Sequence, residues 1–331
     1  MRYLSLFSGI GAFETALKRI GIGYDLIGYS EIDEYAAKAY DILHGGINLG
    51  DVQMLDSVGG GCDLLTYGFP CQSISQNGKK AGIAVGTRSG LVFDALRVIE
   101  KNTPIVCICE NVKNLVGKRF KDSFDEILYL LSEIGYNNYW KIMNAVDYGL
   151  PQNRERVFVV SIKKDVDNGF DFPDGYGCSM CLDDIMDKGI GGKYLAAHTE
   201  RAIALETKLA NDNDIHSKEC TVIRLGNIYG DGYGTGYAGY VYGTWGIAPT
   251  LQTAQGGGRT PMIMDGGKMR KLTPRECFAL MGFSKSDCDL LSLHGLSDSR
   301  LYKMAGNSIC VNILVEIFKC LLKRRYIRQA G

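Results

Sequence analysis

The 331-residue sequence has no excess charge of either sign, since 37 Lys and Arg offset 37 Asp and Glu. Net charge therefore gives no indication of a polyanionic partner, and only local patches are left for that role. The candidate patches are "GKK", "NRER", "GKMRK" and the tail "KRRYIRQ". Taken alone, the tail reads as a solvated helix end, where cations are favourable. No apolar run approaches the roughly 20 residues that span a bilayer. "SICVNILVEIFKCLL" is interrupted by Asn312, Glu316 and Lys319, as an amphipathic core helix would be. "MRYLSLFSGIGAF" turns to glycine before the apolar segment of a signal peptide develops. A cytoplasmic protein with no membrane contact is expected. Metal-ligand spacing is missing too. Among 11 cysteines, Cys178 and Cys181 form one CxxC, but no second pair or His-x-x-x-His follows at zinc-site spacing. No metal is expected, and Cys107 and Cys109, within an apolar run, read as packing residues.

The first half alternates short apolar runs with helical periodicity. "RYLSLF", "YDLIGYS", "CDLLTYG", "PIVCICE" and "RVFVVSIK" read as strands. "GAFETALKRI", "DEYAAKAYDILH" opened by Asp33, "GLVFDALRVIE" and "SFDEILYLLSEIG" closed by Gly135 read as helices. This alternation implies a largely parallel sheet covered on both faces, with ligands bound beyond the carboxyl ends of its strands. Gly9, Glu31, Cys71 and Glu110 all fall at such ends. The pattern stops near residue 165. Residues 175–268 are rich in glycine and tyrosine and read as short strands and glycine loops, with one helical stretch, "TERAIALETKLA". Helices return with "LTPRECFALMGF", where Thr273 caps, Pro274 takes the first turn and Glu276 completes a capping box. The expected division is a catalytic domain over 1–170, an inserted domain over 175–268 and a returning segment over 269–331.

"LFSGIGAFE" joins the first strand to a helix, and its glycines allow the backbone to approach a ligand. Glu31 could bind ribose hydroxyls, as in a nicotinamide dehydrogenase. Glu14, however, replaces the third glycine of a dinucleotide motif and would sit badly near a pyrophosphate, which favours an adenosine ligand without phosphates. Cys71 follows Pro70 and opens a polar, glycine-spaced, basic loop, "CQSISQNGKKAGI". That setting suits a nucleophile better than a packing cysteine. Glu110 ends a buried strand, where a carboxyl group can act as a proton donor.

Nine segments occur in an order that resembles the DNA (cytosine-5)-methyltransferase family of the bacterial and phage, restriction–modification type. They are "LFSGIGAFE", "EID" at 31–33, "GDV" at 50–52, "GFPCQ" at 68–72, "GLVF" at 90–93, "ENVKNL" at 110–115, "QNRERVFVV" at 152–160, "RKLTPRECFALMGF" at 270–283 and "YKMAGNSI" at 302–309. The resemblance implies an α/β fold with a Rossmann-like, S-adenosylmethionine-dependent methyltransferase sheet. A small, irregular, strand-rich target-recognition domain would be inserted before the C-terminal helices. The cofactor S-adenosylmethionine would lie against Phe7, Gly9, Ile10, Gly11, Glu31, Ile32, Asp51, Val52, Gly68, Pro70, Leu91, Asn307 and Ser308, with Glu31 on the ribose and Asp51 on the adenine amino group. Cys71 would add to cytosine C6, Glu110 would protonate N3, and Arg154, with Arg156 in the same motif, would hold the base and stabilise the adduct.

Cytosine inside a duplex must be flipped out for this chemistry. The loop after Cys71 would close over it, with Gln72, Asn77, Lys79, Lys80 and Arg88 on DNA. Thr250 and Leu251 resemble the threonine–leucine turn of the recognition domain, and Arg259, Tyr229, Tyr233 and Tyr237 are further DNA candidates. The family resemblance implies a monomer acting on double-stranded DNA, with or without a cognate restriction endonuclease. Two alternatives stay open: the same chemistry on tRNA, and a catalytically silent DNA-binding relative. A zinc cytosine deaminase is set aside, because position 74 is Ile and none of His44, His198, His216 and His294 stands in H-x-E.

Overall fold

A computed structural model of the chain describes residues 1–70, 90–187, 220–228, 238–253, 259–265 and 268–327, with 204 and 207. Cys71, Gln72, Asn77, Lys79, Lys80, Arg88, Tyr229, Tyr233 and Tyr237 lie outside these residues, as does most of "TERAIALETKLA".

The chain forms two compact units. The first comprises Met1–Met143, Glu155–Asp174 and Ile313–Gly331, and the second Asn144–Arg154 and Gly175–Asn312. The C-terminal part thus divides differently from the expected boundary at 269, with most of its helices in the second unit.

In the first unit, β1 (Arg2–Leu6), β2 (Asp25–Ser30), β3 (Leu64–Tyr67), β4 (Val106–Val112), β5 (Tyr136–Asn144) and β6 (Glu155–Lys163) form one sheet in the order β2-β1-β3-β4-β6-β5. β1 through β4 are mutually parallel, and β6 runs antiparallel to β4. Helices α1 (Ala12–Arg19), α2 (Glu34–His44), α3 (Leu91–Asn102) and α4 (Lys121–Glu133) connect or flank the strands. Asp33 caps α2 by accepting the amides of Tyr35 and Ala36. The strand residues Leu4, Leu6, Leu65, Tyr67, Cys107 and Cys109 are buried and pack with Val92, Ala95 and Ile99 of α3 and Phe124 and Ile127 of α4. Burial on both faces is why these strands read as continuous apolar runs.

β5 gives no such signal. Its sequence YNNYWKIMN is mostly half-buried or exposed, as suits an edge strand. The last helix, α9 (Val311–Lys323), brings Phe318 edge-on to Phe13, with ring centroids 6.3 Å apart.

The second unit contains a four-stranded sheet, β10-β9-β8-β7, built from β7 (Arg224–Asn227), β8 (Tyr240–Tyr242), β9 (Met262–Asp265) and β10 (Lys268–Lys271). Before this sheet lies the short helix α5 (Leu182–Ile185), and after it come α6 (Pro274–Leu280), α7 (Lys285–Leu293) and α8 (Asp298–Asn307). Thr273 and Glu276 form the expected capping box. Within the "GKMRK" segment Arg270 is not a surface cation, because it is fully buried and paired with Glu276 and Asp265. Among the described residues no single helix is long and apolar enough to cross a membrane, and none of their cysteines is in a disulfide.

Candidate active site

The register of the parallel strands places the candidate residues. Leu6 pairs with Ser30 and with Tyr67, and Tyr67 pairs with Cys109. The next residue of each strand, Phe7, Glu31, Gly68 and Glu110, therefore lies in one row along the carboxyl edge. Phe7 (φ 52°), Gly9 (φ 56°) and Gly11 (φ 78°) are all left-handed and fold the chain sharply into α1. Gly11 has a second requirement, since a Cβ there would overlap the His44 ring.

Glu31 links two loops. Its Oε2 accepts the Gly9 amide at 2.9 Å and its Oε1 the Asp33 amide at 2.8 Å. Burial raises its pKa, and these two amides oppose that shift. A carboxylate has about four acceptor positions, so acceptor capacity for a diol remains. Ile32, immediately after it, is a large apolar side chain left 72% exposed. Sequence reasoning missed Asn48, whose amide donates to the Glu31 carbonyl while its Oδ1 accepts the amides of Glu31 and Gly50. A lone Asn in a short loop carries no motif by which to find it.

Asp51 caps a 3-10 turn, Val52–Met54, by accepting the Gln53 amide at 3.0 Å. Arg97 of α3 donates to the carbonyls of Val52, Gln53 and Leu55 and so fixes that turn. The side chains of Val52 and Ile10 are buried, so only their backbones remain for a ligand. Phe7 and Leu91 are half-buried and pack against the core, and Pro70 is half-buried. Glu14 departs from the reading that set it against a phosphate. It points into the core, fully buried, and its Oε1 accepts the hydroxyls of Tyr3 at 2.9 Å and Tyr40 at 2.8 Å.

At the other end of the row, Glu110 Oε1 lies 3.1 Å from Arg156 Nε. Oε2 is on the Gly68 side, 3.8 Å from where a Gly68 Cβ would stand. The buried Asn111 amide donates to the Phe69 carbonyl at 3.1 Å, tying down the strand end that leads through Pro70 to Cys71. Arg156 also donates to the Glu155 carbonyl, and Lys113 pairs with the Glu155 carboxylate.

In the second unit, Arg154 is 2% exposed and donates to the carbonyls of Leu251, Gly306 and Ser308. Thr250 donates its hydroxyl to the Asn153 carbonyl at 2.6 Å, and Leu251 is buried. Asn307 and Arg259 are exposed.

The sequence profile of C-5 cytosine-specific DNA methylases matches residues 1–323. The chain belongs to this family. The methylase is 32% identical over 319 residues to the type II methyltransferase M.HhaI of Haemophilus parahaemolyticus, covering 95% of this chain and 92% of that one. It is 28% identical to the orphan methyltransferase M.SPRI of Bacillus phage SPR, covering 97% of each. Its fold is that of the Schizosaccharomyces pombe Dnmt2 methyltransferase (TM-score 0.68, 19% identity, 98% of each chain) and of the Entamoeba histolytica methyltransferase EhMeth (TM-score 0.71, 16% identity, 98% of each chain). The methylase is therefore an enzyme of an S-adenosylmethionine-dependent family whose target is C5 of cytosine in DNA.

Proposed function

We propose that this methylase modifies one cytosine within a short sequence of double-stranded DNA, through a covalent bond between Cys71 and C6 of a flipped base. The observation that carries this reading is the edge where Gly68 abuts Glu110 and Glu110 meets Arg156. This brings a carboxyl group and a guanidinium to the strand end that continues into Cys71.

The residues of the first unit fit the cofactor. Glu31 offers carboxylate oxygens for a ribose diol, Ile32 an exposed apolar surface for the adenine face, and the Asp51 turn a carboxylate for its amino group. The left-handed loop at Phe7–Gly11 lets the backbone approach. When bound, S-adenosylmethionine supplies an electrophilic methyl group.

Cytosine C5 is a weak nucleophile. Addition of the Cys71 thiolate at C6 breaks the C5–C6 double bond and places an electron pair on C5, while Glu110 gives a proton to N3. Once C5 carries the methyl group, loss of its proton to a base restores the double bond and expels the thiolate, and N3 returns its proton to Glu110. Arg156 would hold the base beside Glu110. This revises the role first given to Arg154, whose buried guanidinium is engaged with three backbone carbonyls. On this reading the enzyme acts on DNA as a monomer, and Gln72, Asn77, Lys79, Lys80, Arg88, Thr250 and Arg259 are its proposed DNA contacts, whereas Leu251, first grouped with them, is buried with its amide and carbonyl both engaged.

The test is a cytosine-methylation map of a methylation-free bacterial host expressing the chain, paired with Cys71→Ser. Methylation at one sequence context, abolished by Cys71→Ser with cofactor binding intact, is expected. An unmethylated genome would sink the DNA reading and turn attention to RNA. Substantial turnover by Cys71→Ser would sink the nucleophile. DNA carrying 5-fluorocytosine should trap Cys71, because fluorine cannot leave C5 as a proton does.

A further inference from the structure

We infer that Arg154 is a positioning residue, the centre of a bracket that fixes the Thr250–Leu251 turn against the C-terminal end of α8, and that it does not touch the reacting base. The inference rests on the proposed DNA reading only for what the turn is used for.

Residues 151–154 run alongside 248–251. Gln152 bridges to Ala248, the Asn153 amide donates to the Ala248 carbonyl, and the Ala248 amide donates to that of Pro151. Leu251 is then gripped from both sides. Its amide donates to Gln152 Oε1 at 3.0 Å, and its carbonyl accepts from Arg154 Nη1 at 2.9 Å. Arg154 Nη2 reaches the carbonyls of Gly306 at 3.0 Å and Ser308 at 2.8 Å, where α8 ends. Gln152 Nε2 donates to the Leu280 carbonyl at 2.9 Å, tying in α6 as well. Gly306 completes the bracket, because a Cβ there would overlap the Gln252 carbonyl.

The chemistry supports one role over the other. A helix end and an irregular turn leave carbonyls without intrahelical partners, and a planar guanidinium serves several of them at fixed angles. A buried charge is tolerated where such dipoles surround it. Arg154 is only 2% exposed, so meeting a base would require breaking these bonds. Thr250 gives the same message. Its hydroxyl hydrogen is committed to Asn153 at 2.6 Å, so the turn would present its backbone and orientation to DNA ahead of a hydroxyl donor.

Hydrogen exchange of Thr250–Thr253 reads the bracket without substrate. Arg154→Lys keeps the charge but loses the fork, and should speed exchange there by roughly tenfold or more while α6 stays protected. Gly306→Ala changes no charge and favours the helix by intrinsic propensity, yet should loosen the same segment by overlap with Gln252. In methylation assays both variants should raise KM for DNA and widen the set of methylated sequences more than they lower kcat. Unchanged exchange at Leu251 in both variants would overturn the bracket. A folded Arg154→Lys whose kcat collapses with KM and sequence context unchanged would return Arg154 to the reacting base. If Arg154→Lys does not fold, Gly306→Ala decides the matter alone. The exchange experiment needs no turnover, so a chain that methylates no DNA counts against the proposed function only.

Discussion

Arg156 Nε lies 3.1 Å from Glu110 Oε1 across the antiparallel β4–β6 pair, in which Arg156 stands opposite Val112 and Glu110 opposite Phe158. Residues two apart on a strand share a face, so Glu110 and Val112 lie on one side and Arg156 reaches Glu110 diagonally. The pair commits one carboxylate oxygen to the guanidinium and leaves the other toward Gly68.

Glu110→Gln keeps the shape and an acceptor oxygen but cannot give a proton to N3. Methyl transfer should fall by roughly 10²- to 10⁴-fold, the usual weight of a general acid. Titration calorimetry should find cofactor binding within a factor of about two of the wild type. A rate within a few-fold of the wild type would remove Glu110 from the proton transfer.

Glu31→Ala removes the acceptor for the Gly9 and Asp33 amides as well as the proposed ribose contact. Hydrogen bonds to a charged group are worth roughly 1.5–3 kcal/mol, so cofactor binding should weaken about 10- to 100-fold. Equilibrium binding of S-adenosylhomocysteine measures this directly. Unchanged affinity would place the nucleoside elsewhere.

Gly11→Ala combines a left-handed φ of 78° with overlap of the His44 ring. The strained backbone alone costs of order 1–3 kcal/mol, and urea unfolding should register at least that. Pairing it with His44→Ala should recover the steric part and leave the backbone part. Full recovery would mean that the left-handed conformation carries no cost.

His44 carries a pH dependence. Burial, with Lys18 nearby, pushes its pKa from 6.5 down to about 4. The folded state therefore binds fewer protons than the unfolded state between these values. Stability from the neutral imidazole is complete above about pH 6.5 and is lost as pH falls toward 4. Glu14, raised by burial, acts with the opposite sign and is lost as pH rises. Comparing wild type with His44→Gln at pH 7.5 and 4.5 isolates the histidine, and the wild type should lose about 2 to 3 kcal/mol more. Equal losses would mean that His44 titrates normally.

The sequence by itself determined the row of strand ends, because apolar runs buried on both faces and the helices between them specify a parallel sheet, whose ligand edge follows from strand direction. Gly9, Glu31 and Glu110 were legible there, and so was the capping box at Thr273, while Cys71, the fourth residue read at a strand end, lies outside the described residues. β5 was not, since an edge strand with one partner need not be apolar, and Asn48 acts through a short loop that no pattern marks. Glu14 read as a loop acid that would sit badly near a pyrophosphate, and its place in the core was hidden because its Tyr3 and Tyr40 partners lie 11 and 26 residues away. Arg154 and Arg156 stand two positions apart in one motif, and local sequence gives both the same donor chemistry. Only the tertiary structure separated them. The partners of Arg154 are backbone carbonyls 97, 152 and 154 residues downstream, and backbone acceptors leave no trace in side-chain identity.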